Sequence, residues 1–209
     1  MLFDVTRSAV TGIFGEDRLV TLPVSAFPAS AADTRGARLL QSVGAPTGTL
    51  HLREPDEASG ALPLVRDVVD VEGIEGYEGR EDAGEAAGVW PVIGWLLNAH
   101  LALDPASGKV YAFDLDEETA RELHADVSSL VHVTVSFQRL LDEFTFGDDS
   151  EEAGFERLER EVARIREETS RVDPLPFRDD ETAWWVIGDE IAAGQRFTGD
   201  SPGGRSLYG

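Results

Sequence analysis

Four histidines and a crowd of carboxylates are the groups through which this chain could do acid–base chemistry. His51, His100, His124 and His132 are scattered, and only His124 and His132 are close enough in sequence to approach each other. No neighbouring ligand pattern completes a metal site around them, and the lack of cysteine removes thiolate ligands and disulfides together. Asp114-x-Asp116 opens like a calcium loop. Gly is missing at the sixth position and Glu at the twelfth, so the segment reads as a strand end followed by a helix start. A carboxylate such as Asp114 or Asp116 acting with His124 would make a small hydrolase or nucleotide-modifying site, the enzyme reading these residues allow. Against it, there is no Walker loop, dinucleotide glycine fingerprint, His-Glu-x-x-His or nucleophile elbow. Trp184-Trp185 would offer a stacking platform for a base or sugar, although such a pair more often places one ring in the core and the other at its margin. No catalytic residue, metal or cofactor is assigned, and a non-enzymatic protein is expected.

Charge is the stronger signal. The 209 residues carry 40 Asp+Glu against 18 Lys+Arg, a net charge of -22, with a pI near 4.4. Residues 1–50 hold four acids and four bases, so residues 51–209 carry the whole imbalance, 36 acids to 14 bases. Such a field repels phosphate backbones and anionic membrane surfaces and draws cationic partners inward. It points away from nucleic acid and towards a basic protein partner; the plain alternative is a solubilising surface. The densest run lies between Asp67 and Glu85, with eight acids and one base, Arg80. Within it Glu72-Gly73, Glu75-Gly76 and Glu78-Gly79 recur every three residues, and Gly84 and Gly88 follow. Glycine at that density disfavours helix and regular strand, so Glu72 to Gly88 is expected to be an exposed, mobile acidic loop. Tyr77 can anchor in a partner's pocket while Glu72, Glu75 and Glu78 meet a basic rim. Asp114, Asp116, Glu117 and Glu118 form the second candidate contact.

The elements that must position these groups are mixed. With 42% hydrophobic and 28% charged residues, the chain is apolar enough for one sizeable core. Val5 to Phe14 reads as a short helix, and Leu19 to Leu22 as an apolar run stopped by Pro23. Asp33 can cap a helix carrying Ala37, Leu39, Leu40 and Val43 before Gly44 ends it. Thr49 to Leu52 looks like a strand, and Leu62 to Val71 contains another. Trp90 to Leu103 reads as one long strand with Trp95, Leu97, Ala99, Leu101 and Leu103 on a face. Asp104-Pro105-Ala106-Ser107-Gly108 is turn chemistry, and Val110 to Leu115 returns as the second arm of an antiparallel hairpin. Asp116-Glu117-Glu118 begins a turn or short helix to Ala125. Helices are expected over Ser128–Phe146, capped by Ser128 or Ser129, over Glu151–Thr169, and around Trp184, Trp185, Ile187 and Ile191, the last capped by Asp179 or Asp180 and ended by Gly194. The architecture is α+β: one domain over residues 1–194 with a 72–88 loop, and a flexible tail over 195–209. Trp90, Gly94, Leu101, Asp104, Gly108 and Trp184 are expected to serve structure. The opening residues show neither a basic n-region nor a long apolar stretch, and Val89–Leu103 is short for a membrane span, so a cytoplasmic protein off the membrane is expected.

Short motifs in a fixed order carry a resemblance. Phe27-Pro28, then Thr34-Arg35-x-x-Arg38-Leu39-Leu40-x-x-Val43-Gly44-x-Pro46, is similar to the opening of the SUKH immunity-protein superfamily, in its fourth, bacterial group. Ile93-Gly94 followed by Leu101-x-Leu103-Asp104-x-x-Ser107-Gly108-x-Val110 resembles that family's central hairpin, and Trp184 resembles its C-terminal Trp. The helix start at Ser128 matches in part only, because Ala125-Asp126-Val127 stands where Asn is usual. The resemblance spans roughly residues 5 to 193. It implies a single α+β domain around a curved, mostly antiparallel sheet with helices packed to one side. It further implies an antidote of a bacterial polymorphic-toxin system that binds and blocks a cognate toxin domain of nuclease or deaminase type. Some relatives instead act as regulatory or scaffold proteins. A monomer bound to a basic toxin domain is the expected working form.

Overall fold

The structure is a computed structural model and describes residues 1–71, 74, 86–114, 118–147 and 150–208, together with the backbone of 76–77. The chain divides into two compact units, Met1–His132 and Val133–Gly209. Its class is mixed α+β, as the order of elements indicates.

The first unit opens with helix α1 (Arg7–Phe14), whose N-cap Thr6 accepts from Ala9 N. A two-residue ribbon pairs β1 (Leu19–Val20) with β2 (Ala45–Pro46). Between them lies α2 (Arg35–Ser42), capped by Thr34, whose Oγ1 accepts from Ala37 N at 3.2 Å. Thr34, one residue beyond the expected Asp33, takes the cap; Asp33 instead pairs with Arg38 at 3.1 Å. The main sheet contains β3 (His51–Leu52), β4 (Gly76–Tyr77), β5 (Val92–Leu96), β6 (Ala99–Leu103), β7 (Val110–Asp114) and β8 (Thr119–His124). Its order is β3-β5-β6-β7-β8-β4. Every pairing is antiparallel except β4 on β8.

Three further expectations for this unit fail, each for a local reason. The long strand from Trp90 is two strands, because the chain reverses at Leu97-Asn98 with Leu97 at φ 53°. The reversal pairs Trp95 with His100, so Trp95 does not share a face with Leu101 and Leu103. No glycine announces that turn. Residues 62–71 hold a short helix, α3 (Val65–Val68), in place of a strand, since Asp67 Oδ2 accepts from Leu64 N at 2.9 Å and closes a turn. The turn or short helix expected to run to Ala125 is strand β8, where pairing with β7 overrides the helical propensity of Ala120, Arg121, Glu122 and Leu123. On one face of the sheet Val92, Ala102, Tyr111, Phe113 and Ala120 pack with Val65, Val69, Ala87 and Trp90. Trp90 is 3% exposed and its ring lies 4.7 Å from that of Tyr111. On the other, Leu101 and Leu103 are fully buried, and α2 comes so near that a Cβ on Gly36 would sit 2.6 Å from Val127.

Helix α4 (Val127–Glu143) begins in the first unit. Its start is fixed by Asp126, whose Oδ1 accepts from Ser129 N at 3.0 Å and from Ser128 Oγ at 2.5 Å. The serines expected to cap are thus the residues being capped. In the second unit, α5 (Glu151–Ser170) buries Leu158, Val162 and Ile165 and has Ser150 as its N-cap. Helix α6 (Ala183–Ala192) has Thr182 at its N-cap position, whose Oγ1 donates to Pro176 O at 2.8 Å; Asp179 lies earlier and accepts from Glu181 N. Trp184 is fully buried, stacked on Phe137 at 5.8 Å. Residues 195–209 are not a loose tail as far as they are described. Phe197 is buried against Phe144 and Phe146, and α7 (Pro202–Tyr208) follows, with Tyr208 OH donating to Gly194 O at 2.9 Å. The glycines that suggest looseness do the opposite: a Cβ on Gly204 would lie 1.8 Å from Thr198 O, so only glycine admits this approach.

Candidate functional site

The β4–β8 pairing brings Gly76–Tyr77 beside the strand ends that Asp114 and Glu118 flank. Asp114, half-buried, ends β7 opposite Thr119, and Gly76 lies on the other side of Thr119. Tyr77 pairs in register with Ala120. Glu118, exposed and at φ 51°, directly precedes this pairing. Glu72, Glu75, Glu78, Asp116 and Glu117 lie outside the described residues, as do residues 79–85 of the expected loop. The described part of that loop is not all mobile solvent-facing chain. Ile74 and the preceding Val71 pack against the sheet core, Gly76–Tyr77 is a strand, and Ala87 is fully buried. Apolar residues spaced among the glycines, Val71, Ile74 and Tyr77, were the available signal for it.

The acid–base pair expected of an enzyme is not assembled from Asp114 and His124. They sit at opposite ends of the β7–β8 ladder, Asp114 beside Thr119 and His124 beside Val110. Four strand rises along β7, from Val110 to Asp114, separate the two ends by about 13 Å. His124 is fully buried with Nδ1 2.9 Å from Ser129 Oγ. Burial pushes its pKa down to about 3, with the charge of Asp126 pulling weakly the other way. A general base must reach a substrate and titrate near the working pH, and this imidazole does neither. His132 stacks on Phe3 at 4.1 Å. Among the described residues no group of three or more His, Asp or Glu is placed to hold a metal ion. One face of Trp185 is already covered, Arg166 lying 4.1 Å over its ring.

The turn residues have specific geometry. Asp104 is buried and caps its own turn, its Oδ1 accepting from Ala106 N at 2.9 Å and its Oδ2 from Ser107 Oγ at 2.6 Å. Gly108 has φ 79° with open space where a Cβ would stand, so the demand there is conformational alone. At Gly94 the demand is spatial: a Cβ would lie 2.5 Å from His51 O on the neighbouring strand. Beside this hairpin Lys109 Nζ reaches Glu122 Oε1 at 2.6 Å, and Tyr111 OH donates to the same oxygen at 2.9 Å. The sole lysine thus neutralises a carboxylate that β8 carries against the sheet.

A further feature at the opposite edge has no local signature in the chain. His51 and Trp95, 44 positions apart, pair across β3 and β5, and their rings stack at 5.2 Å and 13°. They line an open cavity of about 490 Å³.

The order of elements therefore defines a mixed α+β protein, with Asp114 and Glu118 beside the edge where β4 pairs β8. Residues 5–190 match the SUKH-4 immunity protein family, and the chain belongs to it. No curated protein and no solved structure matches the chain. Membership makes this chain an immunity protein whose partner is a toxin protein. Among the described residues no helix is long and apolar enough to cross a membrane.

Proposed function

We propose that the chain neutralises a cognate toxin domain with a basic, nucleic-acid-handling cleft, of nuclease or deaminase type, by covering that cleft without itself doing chemistry. Family membership supplies the role, and the net charge of -22 is the observation that carries the choice of a basic partner. A cleft built to hold phosphates is cationic, so an acidic protein reaches it quickly and competes with its substrate. The docking surface in this reading is the corner where β4 meets β8. There Tyr77 is the anchor, and Glu72, Glu75 and Glu78 with Asp114, Asp116, Glu117 and Glu118 form the charged rim. Trp90, Gly94, Leu101, Asp104, Gly108 and Trp184 hold the fold and make no partner contact. The protein acts in the cytoplasm of a bacterium carrying a polymorphic-toxin system, as a monomer.

The test is co-expression with toxin domains encoded beside its own gene, followed by purification and binding kinetics. Neutralising Glu72, Glu75 and Glu78 together should slow association at low salt, because rim charges act on encounter. Tyr77→Ala should speed release, because an anchor acts on dissociation. A toxin bound and inhibited with kinetics that neither change alters would move the docking surface elsewhere.

A further inference from the structure

The cavity beside β3 is the place in the described structure where an aromatic surface, a concave wall and unpaired carboxylates coincide. Its floor is the His51–Trp95 stack, with His51 exposed and Trp95 half-buried, and Pro46 and Leu50 are among its apolar wall residues. Its charged lining is Arg53, Glu54, Asp56 and Glu57. Asp56 is committed to its own loop, its Oδ1 accepting from Ala58 N, Ser59 N and Ser59 Oγ. Glu54 and Glu57 are exposed and make no hydrogen bond or ion pair with any described residue. Three acids against one base makes the cavity a net negative site, and an anion is disfavoured there. A flat cation is favoured twice over, by the ring faces and by two carboxylates with free oxygens.

We propose that this cavity receives an arginine side chain of the partner protein. The guanidinium lies over the His51–Trp95 stack, and Glu54 and Glu57 accept its N–H groups; the alkyl stem packs on Pro46 and Leu50. Arginine suits the site better than lysine, since a planar guanidinium stacks on rings and donates in a fork to carboxylates while an ammonium acts as a point charge. The cavity lies at the β3 edge, five strand spacings or about 24 Å from β4, so it is a contact separate from the acidic corner. That the arginine belongs to a toxin rests on the immunity reading; that the cavity binds a guanidinium does not.

The experiment titrates the purified chain with N-acetyl-arginine amide and follows the tryptophan indole N–H resonances, Trp95 being assigned by its loss in Trp95→Phe. A saturable shift of the Trp95 signal is expected, with a dissociation constant on the order of 1–10 mM for a ligand of this size. N-acetyl-norleucine amide should give no saturable shift, the lysine analogue a weaker one, and Glu54→Gln with Glu57→Gln should weaken arginine binding at least about fivefold. No saturable shift, or equal shifts from arginine and norleucine analogues, overturns the proposal. In a second arm the double Gln variant is tested against the neighbouring-gene toxin. Unaltered toxin affinity alongside arginine-amide binding would show that the guanidinium comes from another partner and would overturn the toxin assignment only. If the wild-type chain binds no toxin, the immunity reading fails while the titration still decides the cavity.

Discussion

Acidification should unfold this protein through His124 before its exposed carboxylates matter. The imidazole is fully buried between β8 and the start of α4 and held neutral, with a folded pKa of about 3 against an ordinary value of 6.5. Between those values the unfolded chain binds a proton that the folded chain refuses. Stability is then fully present above pH 6.5 and is lost as pH falls towards 3. At about pH 4.5, two units below the unfolded value, the loss amounts to about 3 kcal/mol. Asp126, the charged group beside it, acts in the same direction but lower. Burial raises its pKa, hydrogen bonds from Ser128, Ser129 and Leu2 outweigh that and hold it below the usual range, and its contribution is lost only as pH falls through that depressed value. Urea unfolding at about pH 7.5 and about pH 4.5 on wild type and His124→Gln isolates the effect, because every other titratable group is common to both. The variant should start less stable at neutral pH, having lost a buried contact, but should lose about 3 kcal/mol less on acidification. Equal losses in the two proteins would refute the buried-neutral assignment.

Gly108→Val should cost about 1 kcal/mol or more through the positive φ alone, and Gly108→Asn clearly less; thermal unfolding of the pair checks it, and equal melting would remove the turn assignment. Gly94→Ala should cost about 1–3 kcal/mol, because its new methyl meets backbone that cannot yield; an unchanged urea midpoint would show that β3 and β5 separate freely. Tyr111→Phe should destabilise by about 1 kcal/mol, leaving Glu122 with Lys109 alone; equilibrium unfolding reads this directly. Deleting residues 73–86 should lower stability as well as toxin binding, since Ile74 packs on the core; the triple change of Glu72, Glu75 and Glu78 to Gln should spare the fold, and comparing the two separates the effects.

The α+β class and the hairpin around Asp104–Gly108 were legible because period-2 alternation and Asp-Pro…Gly turn chemistry are local signals. Helices α5 and α6 were legible from helical spacing, with Leu158, Val162 and Ile165 forming one stripe of α5. What escaped depends on pairings and close approaches that no local pattern announces. β8 has a helix-forming sequence and is a strand only because β7 lies beside it. The turn at Leu97-Asn98 carries no glycine, and the left-handed Leu97 is imposed by pairing on both arms. The glycines of α7 looked like disorder because close approach to Thr198 is invisible without the fold. At the candidate site, Tyr77 and the two acidic runs were visible as composition, whereas the pairing of Gly76–Tyr77 with β8 needed the parallel register of Gly76 with Thr119. The His51–Trp95 cavity had no sequence signature, since nothing local links the two rings.

The most direct test of the account is calorimetric titration of the purified chain with the toxin domain encoded beside its gene, paired with an assay of the toxin's activity. The account predicts a one-to-one complex in which the toxin is inactive and whose affinity falls steeply with added salt. A neighbouring toxin that stays unbound, or one that is bound yet fully active, would contradict it.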